Sequence, residues 1–348
     1  MRAVRIDEFG GPEVLVQVQA PDPEAGSGEV LVRVEAAGVN RADALLRAGS
    51  YHRAGRPPLI PGLEAAGTVA AVGEGVTGLR PGQRVMALGA GLYAELAAVP
   101  AGRVAVLPDG IGMLEAAALP VAWLSARYCL RDLAGLAKEE TVVVHAAASG
   151  VGSAAVQIAA DLGARVIAVV SSADKAAWVA GLGAHDIVDT SVDDEEQQVA
   201  RLTGGRGADV VLDTVGGPAF ARGLRQVAYA GRVIALANVA LEPSIIDTRD
   251  FYPKNATIRG FQLTNLMEHG YDPRDDLREL AERTAAGAYR VPVEAVFPLQ
   301  RAREAHELLE RRGNRGKIVL SVTSPVPSDG RQTARAMQMR AFSRGPAS

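Results

Sequence analysis

The most regular hydrophobic pattern lies in the middle of the chain, where short apolar runs alternate with amphipathic stretches. The β-branched run Thr141–Val144 leads through a turn of small residues into a helical pattern that closes at Gly163, and a second apolar run follows at 165–170. This succession predicts a β-α-β unit. The same alternation continues, and the predicted strands are 142–145, 166–170, 186–188, 209–212, 233–237 and 257–261. Six strands separated by helices predict an α/β fold with a doubly wound parallel sheet.

The first 120 residues have a different pattern, in which short alternating runs are separated by turns rich in Gly and Pro. The segment 29–35 alternates apolar and polar residues with a period of two, and 67–73 is a further strand candidate. These features predict an irregular β domain.

The pattern changes again near the end of the chain. A polar helix is predicted at 275–286, followed by a strand at 293–297, a helix at 299–312 and a final strand at 316–320. We expect this late segment to complete the first domain. The predicted domains are therefore 1–121 with 264–321, and 122–263. Residues 322–348 are rich in Ser, Pro, Gly, Arg and Ala and are predicted to form a disordered tail.

The turn after the first central strand has the composition of a phosphate-binding loop. Small residues let backbone N–H groups and a helix N-terminus approach a pyrophosphate directly. In the G-x-G-x-x-G pattern, Ala147 and Ser149 occupy the first two glycine positions and Gly152 keeps the third. An ordinary tight crossover without a ligand is the alternative. The predicted cofactor-binding residues in this turn are Ala148, Ser149, Gly150, Val151 and Gly152.

The end of the second central strand indicates which dinucleotide is bound. NAD sites usually carry an acidic residue there, which binds the ribose 2′-hydroxyl. This chain instead has Ser171 and Ser172, with Lys175 shortly after. Two hydroxyls and an ammonium suit a 2′-phosphate, which needs donors and positive charge. The sequence therefore favours NADP(H), although Asp174 would repel a phosphate if it pointed inward, and Lys175 could equally be a solvated lysine.

Composition excludes several other functions. The chain has 348 residues, a formal net charge of −3 and only 4% aromatic residues, so no basic or base-stacking surface for nucleic acid is expected. No apolar run is long enough for a membrane span, and the N-terminus lacks a signal-peptide core, so a cytoplasmic location is expected. With Cys129 as the only cysteine and no paired histidine spacing, no metal site is predicted.

Taken together, several separate blocks resemble the medium-chain dehydrogenase/reductase superfamily, in its zinc-independent quinone oxidoreductase branch. The blocks are 36–43, 47–51, 61–69, 73–76, 81–85, 145–152 and 316–320. The resemblance covers about residues 1–321 and implies a GroES-like β domain, built from both chain ends, plus an inserted Rossmann domain. It also implies a homo-oligomer, either a dimer or a tetramer.

The departures from zinc alcohol dehydrogenases are also informative. Those enzymes place a zinc-binding cysteine near the position of Asn40 and a zinc-binding histidine at the position of Leu63. The resemblance therefore implies chemistry without a metal Lewis acid.

The resemblance also places three catalytic candidates. Asn40 could donate a hydrogen bond to a substrate carbonyl or the cofactor, with Asp43 ordering its loop. Tyr51 could donate a proton, since a phenol is protonated at neutral pH. Ser125 stands where the family commonly has a threonine near the nicotinamide. For each of these residues, a purely structural role is the alternative.

Further cofactor-binding candidates lie at strand ends and in a late turn. Thr190 stands where, in the resembling family, a tyrosine often packs near the 2′-phosphate. In the other domain, Asn314 and Lys317 could reach the cofactor phosphates or simply form a surface turn. The candidates are Thr190, Thr214, Leu236, Asn238 and Phe261 at the strand ends, and Asn314 and Lys317 in the other domain.

The function predicted from this pattern is NADPH-dependent hydride transfer to a small-molecule carbonyl substrate, a quinone or another α,β-unsaturated carbonyl, without zinc. One alternative is an enoyl-thioester reductase of the same superfamily, in which protonation would depend strongly on Tyr51. A second alternative is a non-catalytic, crystallin-like protein that binds NADPH.

Overall fold

A computed structural model describes residues 1–322, which divide into two units. Unit 1 contains Met1–Val121 and the described residues from Asp272 onward, and unit 2 contains Ala122–Tyr271. The predicted boundaries follow residues 121 and 263, and the two units divide after Val121 and after Tyr271. The ring of Tyr271 packs edge-on against Tyr128 of the same unit, with the ring centroids 5.1 Å apart. The tail predicted at 322–348 lies outside the described residues, apart from Val322.

The central strands and helices follow one another in the order that the sequence pattern predicts, whereas the short helices at 41–47, 113–117 and 263–268 were not predicted. The strands are β1 (Arg2–Arg5), β2 (Val16–Gln19), β3 (Glu29–Val39), β4 (Glu64–Val72), β5 (Arg84–Leu88), β6 (Leu96–Pro100), β7 (Val104–Val106), β8 (Thr141–Val144), β9 (Arg165–Val170), β10 (Asp186–Asp189), β11 (Ala208–Asp213), β12 (Val227–Ala235), β13 (Thr257–Gly260), β14 (Val293–Pro298) and β15 (Lys317–Ser321). The helices are α1 (Arg41–Arg47), α2 (Met113–Ala117), α3 (Ala122–Arg127), α4 (Gly150–Asp161), α5 (Ala173–Ala180), α6 (Glu195–Leu202), α7 (Pro218–Gln226), α8 (Leu263–Glu268), α9 (Arg274–Ala285) and α10 (Ala302–Glu310). None of these helices is long and apolar enough to cross a membrane.

Unit 1 is built on a sheet that joins both ends of the chain. Its strand order is β14-β15-β3-β4-β5-β7, and β6 also pairs with β3. The strand β15 runs parallel to β14 and antiparallel to β3, so the last strand lies between an early and a late one. Alternate residues of β3 face the core, among them Val30, Val32 and Val34.

Unit 2 is a six-stranded sheet in which every strand pair is parallel. The order is β10-β9-β8-β11-β12-β13, so successive crossovers proceed outward from β8 in one direction and then from β11 in the other. The central strand β8 is buried along its whole length, which explains its β-branched run. The doubly wound sheet predicted from the sequence is therefore confirmed, and ligands of such sheets bind at the carboxyl ends of the strands beside the reversal.

Candidate functional site

The turn between β8 and α4 has the packing of a dinucleotide-binding loop. Ala146 adopts a left-handed conformation with φ of 48°, which turns the chain sharply after the strand. A Cβ atom on Gly152 would lie 2.2 Å from the carbonyl oxygen of Ala146, so only glycine fits there. This is the role of the third glycine in the motif, which lets helix and strand pack closely.

Ser149 begins α4 as its N-cap. Its Oγ accepts a hydrogen bond of 3.0 Å from the backbone N–H of Gly152. The first N–H groups of an α-helix have no acceptor within the helix, and the helix dipole makes that end positive. In α4 these are the backbone N–H groups of Gly150 and Val151. They can donate hydrogen bonds to a pyrophosphate, so the turn and the start of α4 fit this ligand.

The residues expected near a ribose 2′-phosphate lie together beyond the ends of β9 and β10. The Nζ of Lys175 is 3.3 Å from the Oγ of Ser171, and Ser172 caps α5 by accepting from the backbone N–H of Lys175. Thr190 lies beside them, because its N–H and its hydroxyl both donate to the carbonyl oxygen of Val170, at 2.9 and 3.1 Å. An ammonium and three hydroxyls therefore share this corner of the sheet.

The other candidates of unit 2 extend the carboxyl edge of the sheet. Thr214 follows β11, and its hydroxyl donates to the carbonyl oxygen of His145 at 3.1 Å. The backbone N–H groups of Leu236 and Phe261 continue the strand ladder by donating to β11 and β12, respectively. Asn238 stabilises its own loop, because its Nδ2 donates to the backbone carbonyl oxygen of Glu242 at 2.9 Å and its Oδ1 accepts from the N–H of Leu241.

Ser125 is buried in α3 of unit 2. This helix continues into a widened π-helical turn, Tyr128–Leu133, a kind of distortion that often accompanies functional sites. In that turn the ring of Tyr128 packs against Phe261, with centroids 5.7 Å apart. The placement is compatible with a site at this edge, and a catalytic role for Ser125 stays a prediction.

In unit 1, Lys317 is the centre of a buried polar cluster. Its Nζ donates to Glu64 and to the Oδ1 of Asn40, each at 2.6 Å, and to the carbonyl oxygen of Val39 at 3.1 Å. An ammonium has three hydrogens, and here three oxygens accept them. All three donors of Lys317 are therefore used inside unit 1, which favours a structural role, and its contact with a cofactor phosphate stays a prediction.

The same cluster holds Asn40. Its Nδ2 donates to the Oε1 of Glu64 at 2.8 Å while its Oδ1 accepts from Lys317. One hydrogen of the amide remains for another acceptor, so a substrate contact by Asn40 stays a prediction. As expected, Asp43 orders the loop, since its carboxylate accepts the backbone N–H of Asn40 at 2.8 Å.

Glu64 is the main residue of this cluster that sequence reasoning missed. It is fully buried, and its second oxygen accepts from the N–H of Val121 at 2.6 Å. A Cβ on Gly38 would lie 2.3 Å from the Glu64 carboxylate, so glycine makes room for it on the neighbouring strand. A glutamate within an otherwise apolar strand was the signal that could have indicated an internal ion pair.

The remaining candidates of unit 1 have local contacts. Tyr51 is partly buried against the unit 1 core, and its ring centroid is 4.6 Å from that of His52. The Nδ2 of Asn314 donates to the carbonyl oxygen of Gly316 at 2.9 Å, which is the contact of a turn residue. A proton-donor role for Tyr51 and a phosphate contact for Asn314 both stay predictions. Among residues 1–322, no group of three or more His, Cys, Asp or Glu side chains could hold a metal ion.

Comparison with known proteins agrees with this geometry. Residues 26–109 match the family model described as alcohol dehydrogenase GroES-like domain, and residues 150–286 match the model described as zinc-binding dehydrogenase. The chain is 33% identical over 330 residues to the quinone oxidoreductase of Lama guanicoe, which covers 92% of this chain and 97% of that protein. It is also 37% identical over 316 residues to a segment of erythronolide synthase EryA2 of Saccharopolyspora erythraea, covering 89% of this chain and 8% of that protein.

A solved structure shares the fold over nearly the same length. The quinone oxidoreductase of Escherichia coli complexed with NADPH is 30% identical, has a TM-score of 0.85, and covers 92% of this chain and 100% of that chain. The similarity therefore extends over both units.

Proposed function

Because the chain belongs to the medium-chain dehydrogenase/reductase superfamily, in its quinone oxidoreductase-like branch, we propose that it uses NADPH to reduce a quinone or another α,β-unsaturated carbonyl without zinc. The protein is an NADPH quinone reductase-like oxidoreductase, and its cofactor is NADP(H). The observation that carries the proposal is the combination of a close-packed turn at Gly152 with the Ser171–Lys175 pair.

The residues of unit 2 would hold the cofactor by its phosphates. The N-terminus of α4 would bind the pyrophosphate, with Ser149 holding the first helical turn in place. Ser171 and Lys175 would bind the 2′-phosphate through a hydroxyl and a positive charge. When bound, NADPH supplies a hydride to the acceptor.

The task of the other residues is to position the acceptor and to stabilise negative charge on its oxygen. We expect this task to fall to the predicted catalytic residues: Tyr51 as a proton donor, Asn40 through its second Nδ2 hydrogen and Ser125 through its hydroxyl. No covalent intermediate with the protein is required.

The proposal that zinc is not required rests on the side chains at the corresponding positions. Leu63 provides no ligand atom, and the neighbouring carboxylate of Glu64 is already neutralised by Lys317 at 2.6 Å. That carboxylate therefore needs no metal cation to balance its charge. Metal analysis of the purified protein tests this point, and stoichiometric zinc would contradict it.

The experiment that tests the proposed function follows NADPH oxidation at 340 nm (the nicotinamide absorbance) with a panel of quinones, enones and enoyl thioesters. We expect turnover with quinones or enones, and weaker turnover with NADH. NADPH binding without turnover on any acceptor would favour the non-catalytic alternative, and absence of NADPH binding would contradict the proposal as a whole.

A second candidate is reduction of an enoyl thioester, and the similarity to a segment of erythronolide synthase EryA2 gives a reason to test it. In this reaction a proton must be delivered to a carbon atom next to the carbonyl after hydride transfer, and Tyr51 would be the donor. Replacing Tyr51 by Phe should then lower kcat for an enoyl thioester far more than for a quinone. Full enoyl reduction by the Tyr51→Phe variant would count against this candidate.

A further inference from the structure

His145 occupies an unusual position at the end of β8, one residue before the left-handed turn at Ala146. Its ring is buried, and both ring nitrogens face carboxylates. Nδ1 lies 2.9 Å from the Oδ1 of Asp213, and Nε2 lies 3.0 Å from the Oε1 of Glu195. A neutral imidazole has only one N–H, so two carboxylate partners favour the doubly protonated cation.

The two acids and the histidine shift each other's pKa values. Burial alone would lower the pKa of His145, but the hydrogen bond to Asp213 and the nearby negative charges of Asp213 and Glu195 outweigh burial and raise this pKa to about 9. Burial alone would raise the pKa of Glu195, but His145 and its other partners outweigh it and lower this pKa to about 2.

A second layer of contacts connects the group to two helices. The Oε2 of Glu195, on α6, pairs with the Nε of Arg222 on α7 at 2.9 Å. The Oε1 accepts from the Nε2 of Gln226 at 2.8 Å. The groups that face His145 and its partners are therefore Asp213 from β11, Glu195 from α6 and, behind Glu195, Arg222 from α7.

Asp213 extends the connection to the loop that follows β11. Its Oδ1 accepts from the N–H of Val215 at 3.1 Å, and its Oδ2 accepts from the N–H of Gly216 at 3.0 Å. Thr214, the residue after Asp213, donates its hydroxyl to the carbonyl oxygen of His145. His145 thus links the turn after β8 to the loop after β11, and both lie at the carboxyl edge of the sheet.

We propose that His145 is a positioning residue for the cofactor: as a cation held between Asp213 and Glu195, it fixes both loops in the arrangement that binds NADPH. The inference rests on the proposed function, since NADPH is the ligand whose binding these loops would control. His145 itself touches neither cofactor nor substrate in this proposal and acts through the backbone of the two loops.

The first test compares NADPH affinity among matched variants. His145→Gln removes the positive charge and leaves Asp213 and Glu195 facing each other, so we expect the Kd for NADPH to rise about tenfold, as for the loss of a hydrogen bond to a charged group. The kcat at saturating NADPH should change little, because the variant affects binding rather than the reacting atoms. His269→Gln, at an exposed histidine that ends α8 of the same unit, should keep the wild-type Kd.

The second test is the pH profile of NADPH binding. If His145 only filled space, its loss of a proton would not change the affinity for NADPH. In the wild-type protein the affinity should fall as the pH rises through about 9, where His145 loses its proton. In Glu195→Gln, one supporting charge is lost, so the fall should begin at lower pH. In His145→Gln, this fall should be absent. NADH should show the same profile, which separates His145 from any group that contacts only the 2′-phosphate.

The outcomes separate the inference from the proposed function. If the wild-type protein does not bind NADPH, both are overturned. If it does, and both folded variants keep its affinity and its pH profile, only the role of His145 is overturned. Should His145→Gln fail to fold by circular dichroism, Glu195→Gln decides the question, because it keeps the shape of the side chain, removes its negative charge and replaces one of its two acceptor oxygens by an NH2 group.

Discussion

At the scale of single residues, the buried charge of Lys317 gives the clearest prediction. Replacing Lys317 by Met leaves the carboxylate of Glu64 buried without its cation, which should lower the free energy of unfolding by about 3–5 kcal/mol. Urea denaturation measures this loss. The double variant Lys317→Met with Glu64→Gln should recover part of it, because no uncompensated charge remains. Unchanged stability with weaker NADPH binding would instead support a phosphate contact.

The raised pKa of Asp43 predicts that the free energy of unfolding depends on pH. Burial, opposed by hydrogen bonding to Asn40 and the charge of Lys317, raises the pKa of Asp43 from 3.8 to about 7. Folding therefore favours the protonated acid, and its contribution to stability is complete below pH 3.8 and is lost as the pH rises through about 7.

Comparing unfolding free energies at pH 5 and pH 7.5 tests this sign. The Asp43→Asn variant should show a smaller decrease across this interval than the wild-type protein, and Asp109→Asn, at an exposed site, should leave the decrease unchanged. An equal decrease in Asp43→Asn would contradict the assignment.

Lys175 should determine the preference for NADPH over NADH. Removing its ammonium by Lys175→Ala should raise the KM for NADPH about tenfold, in line with the loss of a charge-assisted hydrogen bond, and leave the KM for NADH nearly unchanged. Steady-state kinetics with both cofactors measures the ratio. Lys138→Ala, at an exposed lysine before the amino end of β8, is the matched control. A parallel loss with both cofactors would mean that Lys175 does not contact the 2′-phosphate.

Several motif residues could be identified from the sequence, but their partners could not. Asn40 and Asp43 stand in a recognisable block, whereas the partner that uses the Asn40 amide, Lys317, lies 277 residues away. Periodicity and spacing describe neighbours along the chain and do not reveal which distant side chain fills a buried position. For this reason the sequence alone does not reveal that Lys317 neutralises Glu64.

At the scale of secondary structure, the turn into α4 yields a steric prediction. A methyl group at Gly152 would lie 2.2 Å from the Ala146 carbonyl oxygen, so Gly152→Ala must displace the turn and should weaken NADPH binding by about tenfold or more. Fluorescence titration with NADPH measures the effect. Gly181→Ala, where the new methyl would be 3.6 Å from its nearest neighbour, should bind NADPH like the wild type.

The helices and strands themselves could largely be predicted, because the apolar runs and turn residues mark them clearly. All six strands of the parallel sheet were expected, but β12 begins at Val227, well before the predicted start at residue 233. Ala230 adopts a left-handed φ of 55° within this strand, and such a local distortion has no signature in the hydrophobic pattern. The π-helical turn after α3 was missed for the same reason.

At the scale of the whole molecule, the edge strand β13 is a candidate contact for the homo-oligomer that the family resemblance implies. All four of its residues are exposed, β13 is the outermost strand of the sheet among residues 1–322, and Ile258 and Tyr229 are exposed apolar side chains on β13 and β12. Exposed strand edges pair readily with another chain, and a second copy offers the same edge. Light scattering should therefore give a mass of two or four times 36.2 kDa.

Ile258→Asp should shift the assembly towards the monomer, because the charge would be buried in the contact. Val192→Asp, at an exposed valine elsewhere in unit 2, should leave the mass unchanged. A wild-type monomer would contradict the proposed assembly.

The position of β15 in the middle of the unit 1 sheet has a consequence for biosynthesis. The Nζ of Lys317 bonds to the carbonyl oxygen of Val39, 278 residues earlier. At translation rates of about 5–20 residues per second, the ribosome needs roughly 15–55 s to cover that separation. During this time unit 2 can fold completely, while β3 has an open edge and Glu64 has no cation. A nascent chain is therefore most prone to aggregation shortly before its last strand emerges, and a premature stop codon before Lys317 would make that vulnerable state permanent.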